Sequence, residues 1–424
     1  MRSMYSFLLY LLMPVVLLYL FFRGLRSRDY LSRWSERFGF FDPPERRGGI
    51  WVHAVSMGEV NAAAPLVEAL RAQYPDTPLC ITTFTPTGSK RVRELYGDEV
   101  FHVFLPLDLP GAVKRFYNRV QPGLAIIMET EIWPNLLHEA AARGVPSLVA
   151  NARISDHSLD RYRRFRQLTA QALEQVSRIA AQSERDAGRL VSIGAPRDRV
   201  TVTGNLKFDF VLPEGLLEKG LDIRRSWGDG RRVLVAGSTH EKDEASLLHA
   251  FGQLLDDFPD ALLVLVPRHP ERFGQAARSA RTAGLEVALF SENPVCPAGT
   301  NCFVIDAMGE LLNYYAAADV AFVGGSFERI GGHNVLEPAA LSRPIVAGPH
   351  LFNVADISRQ LLDAGALVQV QDERELENVL RRLLGDADSR EQMGRAGLAL
   401  VKKGQGAVHR TLAIVKSLFT AGVG

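Results

Sequence analysis

Residues 50–70 read IWVHAVSMGEVNAAAPLVEAL, a short apolar run that passes directly into a helical pattern. An apolar run of this length, ended by a Ser or Gly signal, is typical of a strand buried on both faces of a parallel sheet. The helical pattern after it is what a crossover to the next parallel strand requires. The stretch therefore predicts the first strand and helix of a doubly wound α/β domain.

Apolar runs of the same kind recur in two series, each run followed by a Gly, Pro or Ser signal and a helical pattern. The first series continues with LCITTF, LAIIM, PSLVAN and SRIAAQ, which start at residues 79, 124, 146 and 177. The second series is RVLVAGS, ALLVLVPRHP, CFVID, VAFVGGS and RPIVAGP, which start at residues 232, 261, 302, 320 and 343. The breakers VLPEG and WGDG lie between them and predict a linker over residues 209–230. The sequence thus predicts two α/β halves, with ligands bound at the carboxyl ends of their strands.

The composition excludes several classes of protein. The chain has 424 residues, and its 49 Lys and Arg against 48 Asp and Glu leave a formal net charge of +1. So small a charge gives no bulk attraction for nucleic acid. The three cysteines, Cys80, Cys296 and Cys302, have neither the spacing of a metal site nor that of a disulfide framework. We therefore expect no bound metal and a reducing compartment.

The N-terminus departs from the pattern of a soluble protein. Residues 5–22, YSFLLYLLMPVVLLYLFF, carry no charge and are about long enough to cross a bilayer core. Five arginines follow, which by the positive-inside rule leave the remainder of the chain on the cytoplasmic side: Arg23, Arg26, Arg28, Arg33 and Arg37. Only Arg2 precedes the segment and no small-residue cleavage motif follows, which disfavours a signal peptide. We predict a membrane anchor over residues 1–28 that either spans the bilayer or, because Pro14 would kink it, lies in the interface.

A glycine-rich loop in the second half is the first candidate ligand site. No G-x-G-x-x-G stands at a strand-to-helix turn and no P-loop is present, which disfavours the ordinary dinucleotide and NTPase classes. Residues 323–338, VGGSFERIGGHNVLEP, instead place four glycines before a helix start. Glycines let the backbone approach a ligand, and free N–H groups there suit a phosphate. Asn334 as N-cap with Glu337 at N3 also fits a capping box, so a purely structural loop stays open.

A second candidate follows the strand ALLVLV. Arg268 stands in Pro-Arg-His-Pro, residues 267–270, where it would be a rigid donor to an anion, although a surface arginine is the simpler alternative. Residues 308–310, Met-Gly-Glu, and residues 238–241, Ser-Thr-His-Glu, follow two further strands of this half in the same way. Several such loops at one sheet edge favour a nucleotide site.

Three side chains in the first half indicate proton and charge chemistry. Glu59 lies three residues after Ser56, which fits a capping box and equally a catalytic base at a helix start. Glu129 follows the strand LAIIM, where either the helix macrodipole or a role in a site explains a carboxylate. Lys207, in GNLKFD, would neutralise developing negative charge if it reached a closed site.

Taken in order, the motifs WVHAVSMGE, TTFTPTGS, METEIWPN, NARIS, GNLKFD, AGSTHEKDE, PRHPERF and GGSFERIGGHNVLEPAA closely resemble the 3-deoxy-D-manno-octulosonic acid (Kdo) transferase family. The resemblance covers essentially the whole chain. It implies the glycosyltransferase-B fold, with two Rossmann-like domains facing across a cleft behind an N-terminal anchor. It also implies an inverting transfer of Kdo from CMP-Kdo to a lipid A precursor, at the cytoplasmic face of the inner membrane, without a metal or other cofactor.

The resemblance also implies roles for individual residues. Glu59 matches the general base, and Glu129 and Lys207 match transition-state stabilisers. The implied CMP contacts are Pro267, Arg268, Met308, Gly309, Glu310, Asn334, Val335, Leu336 and Glu337. Residues 29–208 would bind the acceptor and residues 231–424 the CMP-Kdo donor, with the last helix expected to pack back on the first domain.

Two other functions fit the same fold. One is a membrane-tethered protein that binds a nucleotide sugar without turning it over, and the other is a transferase that uses a UDP-sugar donor. A binding protein without turnover would be expected to lose the base, yet Glu59 is present. Competition between UDP and CMP for the donor site would separate the two transferases.

Overall fold

The protein divides into two compact units. The computed structural model describes residues 1–26, 32–228 and 230–421. The first unit consists of Met1–Val211 with Gly404–Gly424, and the second consists of Leu212–Lys403. The boundary at Val211 falls inside the predicted linker, residues 209–230, but most of that linker is a helix, Leu216–Trp227. The breakers VLPEG and WGDG therefore bracket a helix, whose Trp227 stacks on Tyr314 of the second unit with ring centroids 6.1 Å apart.

The first unit is built on a parallel sheet of seven strands in the order β3-β2-β1-β4-β5-β6-β7. Its strands are β1 Ile50–His53, β2 Leu79–Thr83, β3 Phe101–Phe104, β4 Leu124–Met128, β5 Ser147–Ala152, β6 Arg178–Ala181 and β7 Val200–Val202. Its helices up to the boundary are α1 Arg2–Arg26, α2 Met57–Gln73, α3 Pro86–Tyr96, α4 Pro110–Val120, α5 Pro134–Ala142, α6 Asp156–Arg164, α7 Arg166–Leu173 and α8 Glu184–Ser192. Short 3-10 helices occupy Trp34–Phe38, Arg197–Arg199 and Leu206–Asp209.

The second unit repeats this architecture, with seven parallel strands in the order β10-β11-β9-β8-β12-β13-β14. Its strands are β8 Val233–Thr239, β9 Leu262–Pro267, β10 Val287–Leu289, β11 Cys302–Val304, β12 Val320–Val323, β13 Ile345–Ala347 and β14 Leu367–Gln369. Its helices are α9 Leu216–Trp227, α10 Glu241–Leu254, α11 Phe273–Thr282, α12 Leu311–Ala317, α13 Leu336–Ala340, α14 Ala355–Asp363, α15 Glu373–Gly385 and α16 Ala387–Gly404, with a 3-10 turn at Pro270–Arg272.

The last helix, α17 Ala407–Ala421, belongs to the first unit. It packs against α2 and β5, where the rings of Tyr74 and Phe419 lie 5.5 Å apart. The carboxylate of Asp209 accepts the backbone N–H groups of Gly406 and Val408 at the start of this helix. The 3-10 turn that carries Lys207 is thereby tied to the C-terminal helix.

The fold class predicted from the sequence is confirmed, because each unit is a Rossmann-like parallel sheet with helices. Central strands such as β1 and β4 are buried along their whole length, which explains their unbroken apolar runs. The strands β3, β7, β10 and β14 were missed. Each lies at or beside a sheet edge, is at most four residues long, and has residues that are only half-buried, so its sequence lacks a continuous apolar run.

The predicted anchor is helical in its described part. Arg2–Phe22 is long and apolar enough, by length and composition, to cross a membrane. Residues 27–28 of the predicted anchor, including Arg28, lie outside the described residues.

Candidate functional site

The first group of predicted residues lies at the carboxyl ends of neighbouring strands in the first sheet. β1 and β4 pair directly, the turn after β1 leads to Glu59, and Glu129 follows the last residue of β4. Lys207 comes from the 3-10 turn after β7, and this turn packs against α2, which carries Glu59. Parallel topology therefore brings three residues that are far apart in sequence to one sheet edge.

Glu59 has part of the capping geometry predicted for it. Ser56 is the N-cap of α2, and its Oγ accepts the N–H of Glu59 at 3.5 Å. The Glu59 carboxylate reaches back, but its Oε2 accepts the N–H of Val55 at 2.8 Å and not that of the N-cap residue. The predicted partner was thus wrong by one residue. The single strong bond holds one carboxylate oxygen, while Oε1 lies 3.5 Å from the Ser56 hydroxyl.

The surroundings of Glu59 make it a stronger base than an ordinary carboxylate. Burial raises the pKa of Glu59 to about 8, and the negative charges of Glu129 and Glu131 act in the same direction. The N–H of Val55 opposes the shift because it favours the ionised form. A carboxylate with a pKa near neutrality can take a proton from a weakly acidic group such as a hydroxyl more readily than one with a pKa of about 4.

Glu129 lies between two cationic side chains. Its Oε1 lies 3.9 Å from Nζ of Lys207, and its Oε2 lies 4.0 Å from Nε of Arg153. Its backbone is left-handed, with φ 54°, a conformation that non-glycine residues seldom adopt. The turn still pairs with the sheet, because the Glu129 N–H donates to the carbonyl of Ala150 at 2.8 Å. The carboxylate is thus held between two positive charges at the end of β4.

Asn151, the first residue of the NARIS motif, is a residue of this site to which the sequence assigned no role. It lies in β5 where the register with β6 shifts, is fully buried, and has a left-handed φ of 55°. Its Oδ1 accepts the N–H of Leu206 at 3.0 Å, in the turn that carries Lys207. A polar residue at the end of an apolar run was the available signal. The apolar run does not reveal the hydrogen bond to Leu206, because that residue lies in a turn distant in sequence.

A pocket of about 560 Å³ opens beside Glu129 in the first unit. The residues that line it include Glu129, Glu131, Arg153, Arg161 and Tyr5 of α1. Burial raises the pKa of Glu131 to about 7, and the charge of Glu129 adds to this. A separate depression of about 930 Å³ lies at the amino-terminal ends of β1 and β2, and its lining residues include none of the predicted catalytic side chains.

In the second unit, Arg268 and Glu337 occupy one neighbourhood. Arg268 follows β9, and its N–H donates to the carbonyl of Thr239 at 3.0 Å, which ties it to the end of β8. Burial raises the pKa of Glu337, while a hydrogen bond from Asn334 and the charge of Arg268 oppose this shift. Two of the predicted CMP-binding segments therefore meet at this edge of the second sheet.

The segment from Asn334 to Glu337 differs in detail from the predicted capping box. Helix α13 begins at Leu336 with Val335 as its N-cap. Asn334 uses its Oδ1 to accept the N–H of Leu336 at 3.0 Å and its Nδ2 to donate to Glu337 at 3.0 Å. The prediction of Asn334 as N-cap was wrong by one residue, because Asn closes an Asx turn onto the second residue ahead.

The third predicted segment, Met308 to Glu310, forms the loop before α12. Gly309 has φ +89°, and the Met308 side chain is exposed. Glu310 accepts a hydrogen bond from Asn313 at 2.6 Å and lies 3.6 Å from Nζ of Lys219. This carboxylate is thus already paired within the second unit.

Asp243 organises the glycine-rich loop and was also missed. It is fully buried and accepts four backbone N–H groups, from His240, Gly325, Ser326 and Phe327. Glycine is required at 325, because φ is +68° and an added Cβ would lie 2.9 Å from the ring of His333. The glycines therefore serve the packing of the loop itself, and Asp243 fixes this loop to α10.

Three histidines meet beside this loop. The rings of His240 and His333 lie edge to edge and nearly parallel, and their Nε2 atoms lie 2.9 Å apart, so one ring donates to the other. The ring of His269 stands edge-on to His240 at 5.4 Å. Burial lowers the pKa of His333 to about 4 and also lowers that of His240. Within residues 1–26, 32–228 and 230–421, no group of three His, Cys, Asp or Glu side chains is arranged to hold a metal ion.

Comparison with known proteins relates the chain to one family. The family model described as 3-Deoxy-D-manno-octulosonic-acid transferase (kdotransferase) matches residues 32–210. The 3-deoxy-D-manno-octulosonic acid transferase of Haemophilus influenzae is 40% identical over 98% of both chains. The enzyme of the same name from Bordetella pertussis is 38% identical over 97% of this chain and 98% of its own length.

Among solved structures, the UDP-GlcNAc 2-epimerase of Neisseria meningitidis bound to UDP-GlcNAc is similar over 87% of this chain and 100% of its own, with a TM-score of 0.56 and 14% identity. So low an identity bears on the fold alone. It supports the glycosyltransferase-B type of architecture, with two Rossmann-like units in one chain.

Proposed function

Because the chain belongs to the 3-deoxy-D-manno-octulosonic acid transferase family, we propose that it transfers Kdo from CMP-Kdo to a hydroxyl group of a lipid A precursor. The observation that carries the chemistry is the buried Glu59, whose pKa is raised to about 8 beside Glu129. A binding protein without turnover would have no use for this environment of Glu59. A UDP-sugar transferase would use it, but with a different donor.

Glu59 acts as the general base. A sugar hydroxyl is a weak nucleophile, and a carboxylate within hydrogen-bond reach takes its proton as the new C–O bond forms. The anomeric C–O bond to the phosphate of CMP breaks in the same displacement, which inverts the anomeric configuration. The proton ends on Glu59, and the bonding pair leaves with CMP.

Glu129 and Lys207 stabilise the transition state. Positive charge develops at the anomeric carbon as CMP departs, and a fixed carboxylate lowers the free energy of that charge. Lys207 and Arg153 flank Glu129 at 3.9 and 4.0 Å, which orients this carboxylate. The left-handed backbone at Glu129 is consistent with a position held for function at some cost in conformational energy.

The second unit binds the donor nucleotide. CMP carries a phosphate whose negative charge grows as it leaves, and the guanidinium of Arg268 is suited to bind it. The proposed contacts are Pro267, Arg268, Met308, Gly309, Glu310, Asn334, Val335, Leu336 and Glu337. Arg268 supplies here the positive charge that a metal ion supplies in other transferases, so the transfer is metal-independent.

Membrane attachment completes the proposal. The apolar helix α1 holds the enzyme at the cytoplasmic face of the inner membrane, where the lipid acceptor is also confined. Confinement of enzyme and acceptor to one surface raises their effective concentration.

Incubation of the full chain with CMP-Kdo and a tetra-acylated lipid A precursor tests the proposal. We expect release of CMP and a lipid whose mass is increased by Kdo. Binding of CMP without any product would contradict the enzymatic assignment and favour a binding protein. Equal competition by UDP and CMP would favour the UDP-sugar transferase.

A further inference from the structure

The backbone of the glycine-rich loop is committed to the loop's own structure. The N–H groups of Gly325, Ser326 and Phe327 donate to the buried carboxylate of Asp243. Four further N–H groups of the loop donate to backbone carbonyls at 2.8 to 3.2 Å, and they belong to Gly324, Gly331, Gly332 and His333. These N–H groups are therefore not available to a phosphate, and side-chain donors are the alternative.

Three histidines follow adjacent strands at the centre of the second sheet. His240 follows β8, His269 follows β9, and His333 lies in the loop after β12. From β8 the chain builds the sheet outward to β10 on one side, and it then builds the other side from β12 to β14. Such a change of direction opens a crevice at the carboxyl ends of the strands, where ligands of open α/β sheets bind. The crevice lies between β8 and β12, at the loops that carry His240 and His333.

The rings of His240 and His333 form a hydrogen-bonded pair in this crevice. Their Nε2 atoms lie 2.9 Å apart, and their planes differ by 10°. His240 is 9% exposed and His333 is half-buried, so His333 is the outer member. A neutral imidazole has one N–H and one acceptor nitrogen. A neutral pair therefore uses one N–H between the rings and keeps one for another partner.

The glycine-rich loop decides which nitrogen of His333 faces outward. A Cβ added at Gly325 would lie 2.9 Å from both Cδ2 and Nε2 of His333, so this edge of the ring lies against the loop. Nδ1 is the ring atom opposite the Cδ2–Nε2 bond, and it therefore points away from Gly325 and from His240. The described part of the chain offers Nδ1 no hydrogen-bond partner.

Positive charge from the neighbouring strand faces His333. Arg268 follows β9, and its backbone N–H ties it to the end of β8. Burial lowers the pKa of His333 to about 4, and the neighbouring histidines and the charge of Arg268 act in the same direction. The ring is therefore neutral at neutral pH, and the guanidinium lies close enough to act on it.

The carboxylates that face the pair already have partners. Asp243, Glu244 and Glu328 oppose the lowered pKa of His240. They accept hydrogen bonds from four backbone N–H groups, from the guanidinium of Arg272 and from the N–H of Lys242, respectively. These carboxylates are thus bonded within the second unit, and Nδ1 of His333 is left for a ligand.

An anion at Nδ1 would decide where the hydrogens of the pair lie. It selects the tautomer in which Nδ1 of His333 carries hydrogen, and Nε2 of that ring then accepts the N–H of His240. A neutral N–H that donates to an anion makes a charge-assisted hydrogen bond, and the guanidinium of Arg268 supplies the full positive charge beside it. The pair is thus arranged to bind a phosphate oxygen without being protonated itself.

We propose that His333 is a further residue of the donor site, whose Nδ1–H donates to a phosphate oxygen of CMP beside Arg268, and that His240 holds it in position. This inference rests on the proposed function and names one more residue for it. When the anomeric C–O bond breaks, its electron pair stays on the phosphate oxygen, and CMP leaves with one more negative charge than it carried in CMP-Kdo. The hydrogen bond from His333 strengthens with that charge. Its hydrogen stays on the ring, and the proton of the acceptor hydroxyl goes to Glu59.

Two substitutions of His333 separate its two nitrogens. His333→Asn keeps an N–H donor near the position of Nδ1, and His333→Gln keeps one near that of Nε2. CMP affinity, measured by calorimetry on the full chain, should fall about tenfold or more in His333→Gln and about threefold or less in His333→Asn. His249→Gln on α10 is the matched control, because it removes an exposed histidine of the same unit.

The nucleoside shows whether the effect belongs to the phosphate. Cytidine has the base and ribose of CMP without the phosphate, so its affinity should be the same in the unchanged protein and in His333→Gln. Equal losses for cytidine and CMP would assign His333 a structural role and overturn the inference. An unaltered CMP affinity with a raised KM for CMP-Kdo would place the residue at the carboxylate of the sugar and would also overturn it.

His240 is tested through its effect on His333. His240→Gln keeps an N–H near Nε2 that still donates to His333, whereas His240→Met fills the space without a donor. CMP affinity should fall about three- to tenfold in His240→Met and recover in His240→Gln. Equal CMP affinities in these two variants would remove His240 from the positioning of His333.

Failure of this inference and failure of the proposed function give different results. Absence of CMP binding by the unchanged protein would refute the donor site itself, and the role of His333 with it. Equal CMP affinities of the unchanged protein, His333→Gln and His333→Asn would refute the role of His333 alone. Melting temperatures of all variants are measured alongside, so that a loss of folding is not counted as a loss of affinity.

Discussion

In the first unit, Glu129 follows β4 directly and Glu59 follows the neighbouring strand β1, whereas in the second unit His240 follows β8 and Arg268 follows the neighbouring strand β9. The same edge of the same architecture therefore carries opposite chemistry. Carboxylates crowd the first edge, where burial and the charges of Glu129 and Glu131 raise the pKa of Glu59 to about 8. The second edge combines an arginine with histidines whose pKa values burial lowers.

This difference indicates a division of labour between the units. Burial and neighbouring negative charges that raise the pKa of a carboxyl group create a proton acceptor. Neutral donors beside a guanidinium create a site for an anion. Both units offer the carboxyl ends of a parallel sheet, and in the proposed function the residue types there decide which unit binds the nucleotide and which takes the proton.

The largest effect should come from Glu59→Gln. The amide can still accept the N–H of Val55, so the fold is kept, but it cannot take a proton from the acceptor. The rate of Kdo transfer should fall about 10²- to 10⁴-fold while CMP affinity, measured by calorimetry, is unchanged. Glu68→Gln, on the exposed side of the same helix, is the matched control. Full activity of the Glu59 variant would show that this residue is not the base and only caps the helix.

The second effect concerns the other edge. Arg268→Ala removes the guanidinium proposed to bind phosphate, and CMP affinity should weaken about 10- to 100-fold, as for the loss of a charge-assisted hydrogen bond. Arg278→Ala on α11 removes an exposed arginine from the same unit and serves as the control. The pH at which transfer reaches half its maximum should stay the same in both variants. A change in that pH with unaltered CMP affinity would contradict the role of Arg268 in CMP binding and would indicate a role in proton transfer.

A smaller effect should come from Asn151→Ala, which removes the acceptor for the buried N–H of Leu206. An unsatisfied buried N–H costs about 1–3 kcal/mol, and loss of Asn from a left-handed backbone adds to it. Thermal or denaturant unfolding should show this destabilisation, and transfer should slow because Lys207 is less well placed. Asn151→Gly relieves the backbone but still lacks the acceptor, so it should recover only part of the stability. Full recovery with glycine would assign the effect to the backbone alone.

The smallest effect is a displacement of the pH profile in Glu129→Gln. The charge of Glu129 raises the pKa of Glu59, so its removal should lower that pKa and move the rise in transfer rate to lower pH. Glu131→Gln should move it less, because Glu131 contributes less to the shift. Both variants are compared by the pH of half-maximal rate, which is independent of any loss in the maximum. A displacement to higher pH would contradict the electrostatic account.

The sequence predicted the parts of this structure that depend on local pattern. Apolar runs located the central strands, and the rule that ligands gather at strand ends placed Glu59, Glu129 and Arg268. Asn151 and Asp243 escaped because their partners, Leu206 and the glycine-rich loop, are distant in sequence. A buried acceptor has no periodicity, and its importance appears only when the N–H groups it satisfies are known.

The composition of α1 also did not predict how this helix packs on the first unit. The helix is apolar on every side, so its sequence predicts an anchor without showing which face docks on the body. Arg2, Tyr5 and Ser6 look like an ordinary polar end to an anchor. Only their hydrogen bonds to the buried Asp108 and Asn135 show that this end belongs with the folded unit.

The pH dependence of kcat/KM for Kdo transfer, measured with CMP-Kdo and a lipid A precursor, tests the central claim most directly. The free enzyme must lose the proton of Glu59 before this residue can act as a base, so the rate constant should rise with pH and level off above about 8. A rate constant that is level or falls as the pH is raised toward 8 would contradict the assignment of Glu59 as the base.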